Sequence, residues 1–523
     1  MSQAGKEAVS VIAAAIGKKY VLTDQKSVEF YSMDVYRSFE IPIAVVQPGS
    51  VEELQEVVRV ASGLGIAIVT RGGGASYTDG YLATTPKSIT IDTSRLNKIV
   101  EINEEDMLVT VEPGVTWAEM AAALAEKNLR TPFWGPFSGL KATVGGSTSQ
   151  NSLSMGTGAY GGSPESILCY DIVLPSGKIL KTGSSSMENS PAFFRHYGPD
   201  LTGLFSGDAG ALGVKARITL RLIKLPTHTL TCSFGFKDYG SMSEGMAAAA
   251  REQSVSSNWG VDPKLQQGQL GRVTLSDAIK AAYAVLRTAR NPFEAIVQLG
   301  KMALAGKRFL TGFDYSAHFV VEGYSVAEVK SKLAQTRKAV GRYGTEIANT
   351  IPTVLGAMPF MPLYPILGPQ GERWVPMHGF LPFSRMQDFH DRLTQLYDDN
   401  KEKMETHSVE AGAMFMTYST HGFLYEVALY WKDDRSLYHK TYLDQDYLDM
   451  LPVHDENQAG RDLVAEIRSK IQDIYSELGA VHFQVGKSYP YQQGRQEEAA
   501  RALKDIKDSI DPDNLMNPGA LGL

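Results

Sequence analysis

The chain has 523 residues, 43% hydrophobic and 21% charged, which allows roughly two to four domains with sizeable cores and excludes a disordered scaffold. Its 51 Lys and Arg against 58 Asp and Glu leave a formal charge of −7, so nucleic acid is not an expected partner. Two cysteines, Cys169 and Cys232, are too few for a disulfide framework or a CxxC metal knuckle and fit a reducing, cytoplasmic setting.

Val9 to Gly17 is an apolar run set between Lys6-Glu7 and Lys18-Lys19, which predicts a short packed helix and not a signal segment. No run reaches the ~18 apolar residues of a membrane span. After Pro48, Ser50 with Glu53 forms a capping box, and Val51, Leu54, Val57, Val58, Ala61 and Leu64 recur at helical spacing. Ile66 to Thr70 is then a short buried strand that runs into Arg71-Gly72-Gly73-Gly74-Ala75-Ser76. Two strands follow, SITIDT and MLVTVEPG, and then a helix capped by Thr116 with Glu119.

From Phe133 to Gly162 the chain is dense in Gly, Ser, Thr and Asn and has no amphipathic period, a length of loop that implies ordering by a ligand. A hairpin turning at Pro175-Ser176-Gly177 comes next, followed by the glycine-rich approach and alternating strand of LFSGDAGALGVKARITLRL. Past Pro226, helical stretches (Leu275 to Arg290, Val326 to Val340, Met386 to Tyr397, Asp462 to Leu478) alternate with the strand candidates AHFVVEG, MFMTYST and FLYEVALYW. The predicted division is a first domain over 1–226, a second α+β domain over 227–490, and a C-terminal segment over 491–523 that returns to the first.

Gly156-Thr157-Gly158-Ala159-Tyr160-Gly161 matches the dinucleotide fingerprint, but no strand precedes it, Pro164 follows, and Lys178 and Lys181 stand where an acidic residue is needed. Three clusters rich in glycine and flanked by strands, Arg71 to Ser76, Gly145 to Gly161 and Gly207 to Gly213, instead offer together many backbone N–H groups to an anion such as pyrophosphate.

At this point the chain resembles the FAD-linked oxidases with a PCMH-type FAD-binding domain, the superfamily of vanillyl-alcohol oxidase, 4-cresol dehydrogenase and the glycolate oxidase flavin subunit. The resemblance rests on VQPGSVEELQEVVRVASGLGIAIVTRGGGAS, VTVEPGVTWAEM, ATVGGSTSQNSLSMGTGAYG, LFSGDAGALGVKARITLRL and DPDNLMNPG, in that order. It implies an α+β fold: a two-part PCMH-type FAD-binding domain plus an α+β cap domain with an antiparallel sheet. It further implies that Arg71, Gly72, Gly73, Gly74, Ala75 and Ser76 wrap the FAD pyrophosphate. Pro113, Gly114, Val115, Thr143, Gly145, Gly146, Ser147, Gln150, Asn151, Gly156 and Gly161 would line the flavin and ribityl chain, Val214 would contact the adenine side, and Asn517 would lie near the flavin. With Gly74 and Ala75 where berberine-bridge-like members carry a flavin-linked histidine, noncovalent FAD is expected, although His378, His421 and Tyr364 are chemically able to attach it.

In such proteins the second domain caps the flavin. ERWVPMHGFLPFSR resembles the W-x-P segment of those caps, and MTYSTHGFLYEV and GAVHFQVGKSYPY fall where active-site strands and a flavin-facing loop are placed. Flavin oxidation of an alcohol needs a group to take the hydroxyl proton and a positive or N–H-rich environment for the reduced flavin. His378, His421 and His482 are the candidate bases, Tyr418 and Tyr425 candidate hydrogen-bond partners, and Lys487 a candidate electrostatic partner. Arg373 and Arg385 either fork a carboxylate or lie on the surface. The paired histidines and glutamate of metal-holding lactate-type members are missing, so no metal is expected. The Tyr-Arg pair of phenol oxidases is missing too.

The resulting expectation is an FAD-dependent oxidoreductase acting on CH–OH donors. It takes a hydride from a small alcohol-type, aromatic or phenolic substrate to the flavin N5. The alternatives are a D-2-hydroxy-acid dehydrogenase of the lactate or glycolate type, or a flavoprotein subunit passing electrons to a cytochrome or iron–sulfur partner. The partners are therefore an alcohol or hydroxy-acid substrate and either oxygen or an electron-acceptor protein, in a monomer or a homo-oligomer.

Overall fold

Helical periodicity after Ser50 and strand alternation after Gly65 become a parallel βαβ start in the computed structural model, which describes residues 3–266, 312–349, 352 and 359–523. The helix spans Val51–Gly63, and its Ser50 side chain accepts from the Glu53 main-chain N–H. The box is only half made, because the Glu53 carboxylate reaches one residue further back, to the N–H of Gly49. The capping box at Thr116 is complete, with Glu119 answering on the N-cap backbone.

The first compact unit comprises 1–153, 162–225 and 483–523. Its first sheet orders β1 (Val21–Leu22), β2 (Ala44–Val46), β4 (Ser88–Asp92) and β3 (Ala67–Arg71), with β2, β3 and β4 parallel. Val51, Leu54, Val57, Val58 and Ala61 of the helix, Ala8, Ile12 and Ile16 of an N-terminal helix Gln3–Ile16, and the inward faces of these strands share one hydrophobic core. The open side of β3 is not left as a bare edge. Ile68 donates to the carbonyl of Leu515 at 2.7 Å, and its own carbonyl accepts from Asn517 at 2.8 Å, so the tail adds a short parallel bridge.

The second sheet is antiparallel, with β5 (Ile99–Asn103), β6 (Leu108–Val111), β10 (Val214–Arg221), β8 (Ile167–Val173) and β9 (Ile179–Lys181) in that order. The hairpin predicted around Pro175-Ser176-Gly177 is the β8–β9 pair, with Gly177 at φ +76° closing the turn. A small pair joins β7 (Leu129–Arg130) to β11 (Ile223–Lys224).

The second unit comprises 154–161 and 226–482. Among the described residues its seven strands form one sheet in the order β15 (Thr345–Ile347), β12 (His228–Phe236), β14 (Tyr315–Gly323), β13 (Ser257–Val261), β17 (Val409–Tyr418), β18 (Gly422–Trp431) and β16 (Arg373–Leu381). Every pairing is antiparallel. Helices Tyr239–Arg251, Val326–Val340, Met386–Thr406 and Gln458–Glu477 accompany it. The helix expected over Leu275 to Arg290 lies outside the described residues. The return to the first unit begins at Phe483, where the sequence reading placed it at 491. The physical reason is local: the Lys487 and Ser488 N–H groups both donate to the carbonyl of Thr78, and Ser488 Oγ bonds Asp79 Oδ2 at 2.5 Å. No described helix is long and apolar enough to cross a membrane.

Candidate functional site

The glycines of the first unit sit where loops touch. A Cβ on Gly72 would stand 2.3 Å from Thr143 Oγ1, one on Gly73 1.7 Å from the Lys141 carbonyl oxygen, and one on Gly145 2.6 Å from the Pro113 Cβ. Gly145 donates to Pro113 O at 3.0 Å and Val144 to Val115 O at 2.8 Å, which zips the 143–146 segment to the Pro113-Gly114-Val115 turn. Thr143 caps the helix Val144–Ser149 through Gly146, and Ser147 Oγ accepts from the Trp117 indole at 2.8 Å. Thr78 Oγ1 donates to Gln150 Oε1, Asn151 packs on Gly207, and Ala209 donates to Ser149 O. The three clusters separated in sequence thus become one set of touching loops.

That set fits a pyrophosphate. Gly74 takes φ +67°, and around it the partly exposed N–H groups of Gly72, Ala75 and Ser76 meet no acceptor among the described residues. Successive free N–H groups around a left-handed glycine form the concavity that binds anions. Arg71 is held within the fold. Its guanidinium is 1% exposed, donates to the carbonyls of Phe30 and Met33 at 3.2 Å and lies over the rings of Phe30, Tyr31 and Tyr81. Residue 71 thus positions the loop through the fold, while the donors come from the backbone after it.

Other predicted contacts are also taken up by the protein itself. Val214 starts β10 and is buried in the first sheet's core. Asn517 is 2% exposed and donates through Nδ2 to Gly80 O at 2.7 Å and Ala209 O at 2.5 Å, while Oδ1 accepts from Lys487 Nζ. It rivets the tail to two glycine loops. Lys487 also donates to Leu82 O at 2.6 Å, and burial pushes its amine down to about 7 against the opposing pull of Asp79. Gly156 and Gly161 belong to the second unit, where the Gly156 N–H donates to Ser257 Oγ at 2.7 Å and the Gly161 N–H to Thr157 O.

Two buried features of the first unit were not legible as site residues. Asp208, inside the third glycine cluster, pairs with Lys215 at 2.7 Å with both side chains nearly fully buried. Asp34 accepts from the Tyr36, Arg37 and Asp79 N–H groups, and burial together with the Asp79 carboxylate raises its carboxyl to about 7. Arg37 pairs with Asp79. The Asp79-Gly80 turn pair after Thr78 was the available signal, and Asp79 takes φ +58° in the structure.

In the second unit, His378 lies on β16 and is fully buried, so its imidazolium is strongly disfavoured. His482 donates through Nδ1 to the His378 carbonyl at 2.6 Å, and burial lowers it to about 4. A carbonyl only accepts, so Nδ1 carries the hydrogen and Nε2 the lone pair. Tyr418 ends β17 with its ring 5.4 Å from Phe380, and exposed His421 occupies the β17–β18 turn, 5.6 Å from Tyr418. Tyr425 faces the helices and bonds His390 at 3.0 Å. Tyr364 stacks on Tyr447 at 4.0 Å. Arg373, read as a carboxylate fork or a surface residue, is instead buried and held by Asp433 at 3.2 Å, whereas Arg385 is exposed.

Residues 42–183 match the family model described as an FAD binding domain. The fold matches p-cresol methylhydroxylase over 100% of this chain and 98% of that one, with a TM-score of 0.75 at 18% identity. The chain carries an FAD-binding domain. Among curated relatives, the mitochondrial D-lactate dehydrogenase [cytochrome] of Arabidopsis thaliana is 32% identical over 201 residues, 38% of this chain and 34% of that protein. An uncharacterised FAD-linked oxidoreductase of Mycobacterium tuberculosis is 26% identical over 357 residues, 64% of this chain and 73% of that one. The first of these alignments therefore spans about a third of the relative's length. The matched domain makes FAD the cofactor, and the N–H-lined loop Gly72 to Ser76 fits its pyrophosphate.

Proposed function

We propose that this chain is an FAD-dependent oxidoreductase that oxidises a small alcohol-type, aromatic or phenolic donor. The observation that carries the reading is the concavity of free N–H groups at Gly72, Ala75 and Ser76, built by three touching glycine loops in a domain that matches an FAD-binding family. When bound, FAD supplies the hydride acceptor. The chain's own contribution is to hold the cofactor and to orient the donor. The geometry at His482 supports a role in proton transfer: its Nδ1–H is anchored on His378 O, which fixes the tautomer whose Nε2 lone pair can take a hydroxyl proton. Tyr418 Oη is the second donor–acceptor in the same unit, at the end of β17.

The likeness to a D-lactate dehydrogenase favours a second reading, oxidation of a D-2-hydroxy acid with electrons passed to a partner protein. Both readings are tested by purifying the protein with FAD and adding alcohols and hydroxy acids under nitrogen. The expected result is a yellow protein whose flavin absorption is bleached by a benzylic alcohol. A colourless protein that takes up no FAD would overturn both readings, and bleaching by D-lactate alone would select the second.

A further inference from the structure

Successive residues of a strand point to opposite faces of its sheet. In the second unit, Gly379 of β16 is set against Tyr475 of the helix Gln458–Glu477, and Gly260 of β13 against Met242 and Met246 of the helix Tyr239–Arg251. Those positions mark the helix-covered face. The opposite face carries the row His378, Glu426 and Met414, which are partners across the adjacent strands β16, β18 and β17. Phe380 and Tyr418 stand beside the row. Met414, Glu426, Phe380 and Tyr418 keep partial exposure, while their neighbours Met416 and Leu424 on the same face are buried.

The charge on this face has one sign. Following the register across the seven strands, none of its positions among the described residues is Lys or Arg, while Glu322, Glu410 and Glu426 all lie on it. Glu410, at the start of β17, is paired with Lys264 at 2.5 Å. Glu426 sits mid-strand and receives no hydrogen bond from any described residue. Burial alone accounts for its raised carboxyl, about 7, with no cationic group acting on it. A largely desolvated carboxyl with no protein donor keeps an open acceptor for water or a ligand hydroxyl.

We propose that Glu426 is the substrate-binding acceptor of this sheet face, taking a hydrogen bond from an uncharged hydroxyl of the donor and rejecting donors that carry a carboxylate. The proposal rests on the oxidoreductase reading above and chooses between its two substrate classes. Placing a second carboxylate beside Glu426 in a low-dielectric site is repulsive by an amount that water would largely screen. A neutral hydroxyl satisfies the same oxygen at no such cost. In the sequence Glu426 stands out only as a lone glutamate inside the aromatic strand FLYEVALYW.

The test uses two ligands of one skeleton, 1-phenyl-1,2-ethanediol and D-mandelate, which differ by a CH2OH against a carboxylate. Binding to the purified FAD-loaded protein is measured by calorimetry at about pH 8.5, above the titration of Glu426, so the readout needs no turnover. The expected result is that wild type prefers the diol by about tenfold or more and that Glu426→Gln narrows the gap to about threefold or less, at unchanged FAD content. Equal or tighter binding of D-mandelate by wild type overturns the proposal, as does a preference that survives E426Q, or binding of neither ligand. Failure of the oxidoreductase reading shows separately, as a protein without FAD.

Discussion

Lys487 shows at the scale of one residue how burial changes a role read from sequence. Its ammonium has three donors, and two are engaged by Leu82 O and Asn517 Oδ1. Its folded-state pKa of about 7 lies below the ordinary 10.5. Between those values the unfolded chain holds a proton that the folded protein has released, so stability rises with pH across that window and levels off above it. Urea unfolding at pH 7 and at pH 9.5 should therefore show a rise in wild type that Lys487→Met removes; parallel curves for the two proteins would refute the assignment. Arg71 carries the same lesson, since a positive charge at the head of a glycine loop reads as an anion ligand until its partners are seen to be Phe30 O, Met33 O and three rings.

At the scale of elements, periodic segments were legible and their partners were not. The helix after Ser50, the Thr116 cap, the β8–β9 hairpin and the strand Gly422–Trp431 all follow from spacing and turn chemistry. Which loop touches which does not, because contact between residues some seventy positions apart is set by packing and leaves no local period. Gly73 gives the sharpest test. A methyl there would stand 1.7 Å from Lys141 O, so the first two glycine clusters would have to part. Gly73→Ala should lower FAD affinity by roughly tenfold or more, a cost of about 1.4 kcal/mol or above. Flavin absorbance per protein after gel filtration, with circular dichroism as the folding control, measures it; full occupancy would show that the contact is not needed.

For the whole molecule, the tail completes the first unit. Met516 bridges to Ile68, and Lys507 is buried with Nζ on Ala211 O at 2.7 Å, Met516 O at 2.9 Å and Asp511 at 2.6 Å. Removing this segment would expose the β3 edge and leave the Gly207–Gly213 loop without its anchor. A chain ending at His482 is therefore expected to lose FAD and to unfold at a lower temperature than the full chain, as followed by flavin fluorescence during heating; retention of both properties would show the tail to be dispensable.

Sequence patterns alone were enough for the α+β class and for glycine loops suited to an anion, because glycine clusters flanked by periodic strands and capped helices are local patterns with local causes; FAD entered through the family resemblance that those loops carry. Tertiary structure alone decided three matters. It turned the Arg71 and Asn517 side chains into the fold, it assigned 154–161 to the second unit, and it set Glu426 beside His378 on a sheet face whose described strand positions include no Lys or Arg. Each depends on partners distant in the chain, and burial and charge at a site are properties of what packs around a residue and not of its neighbours in sequence.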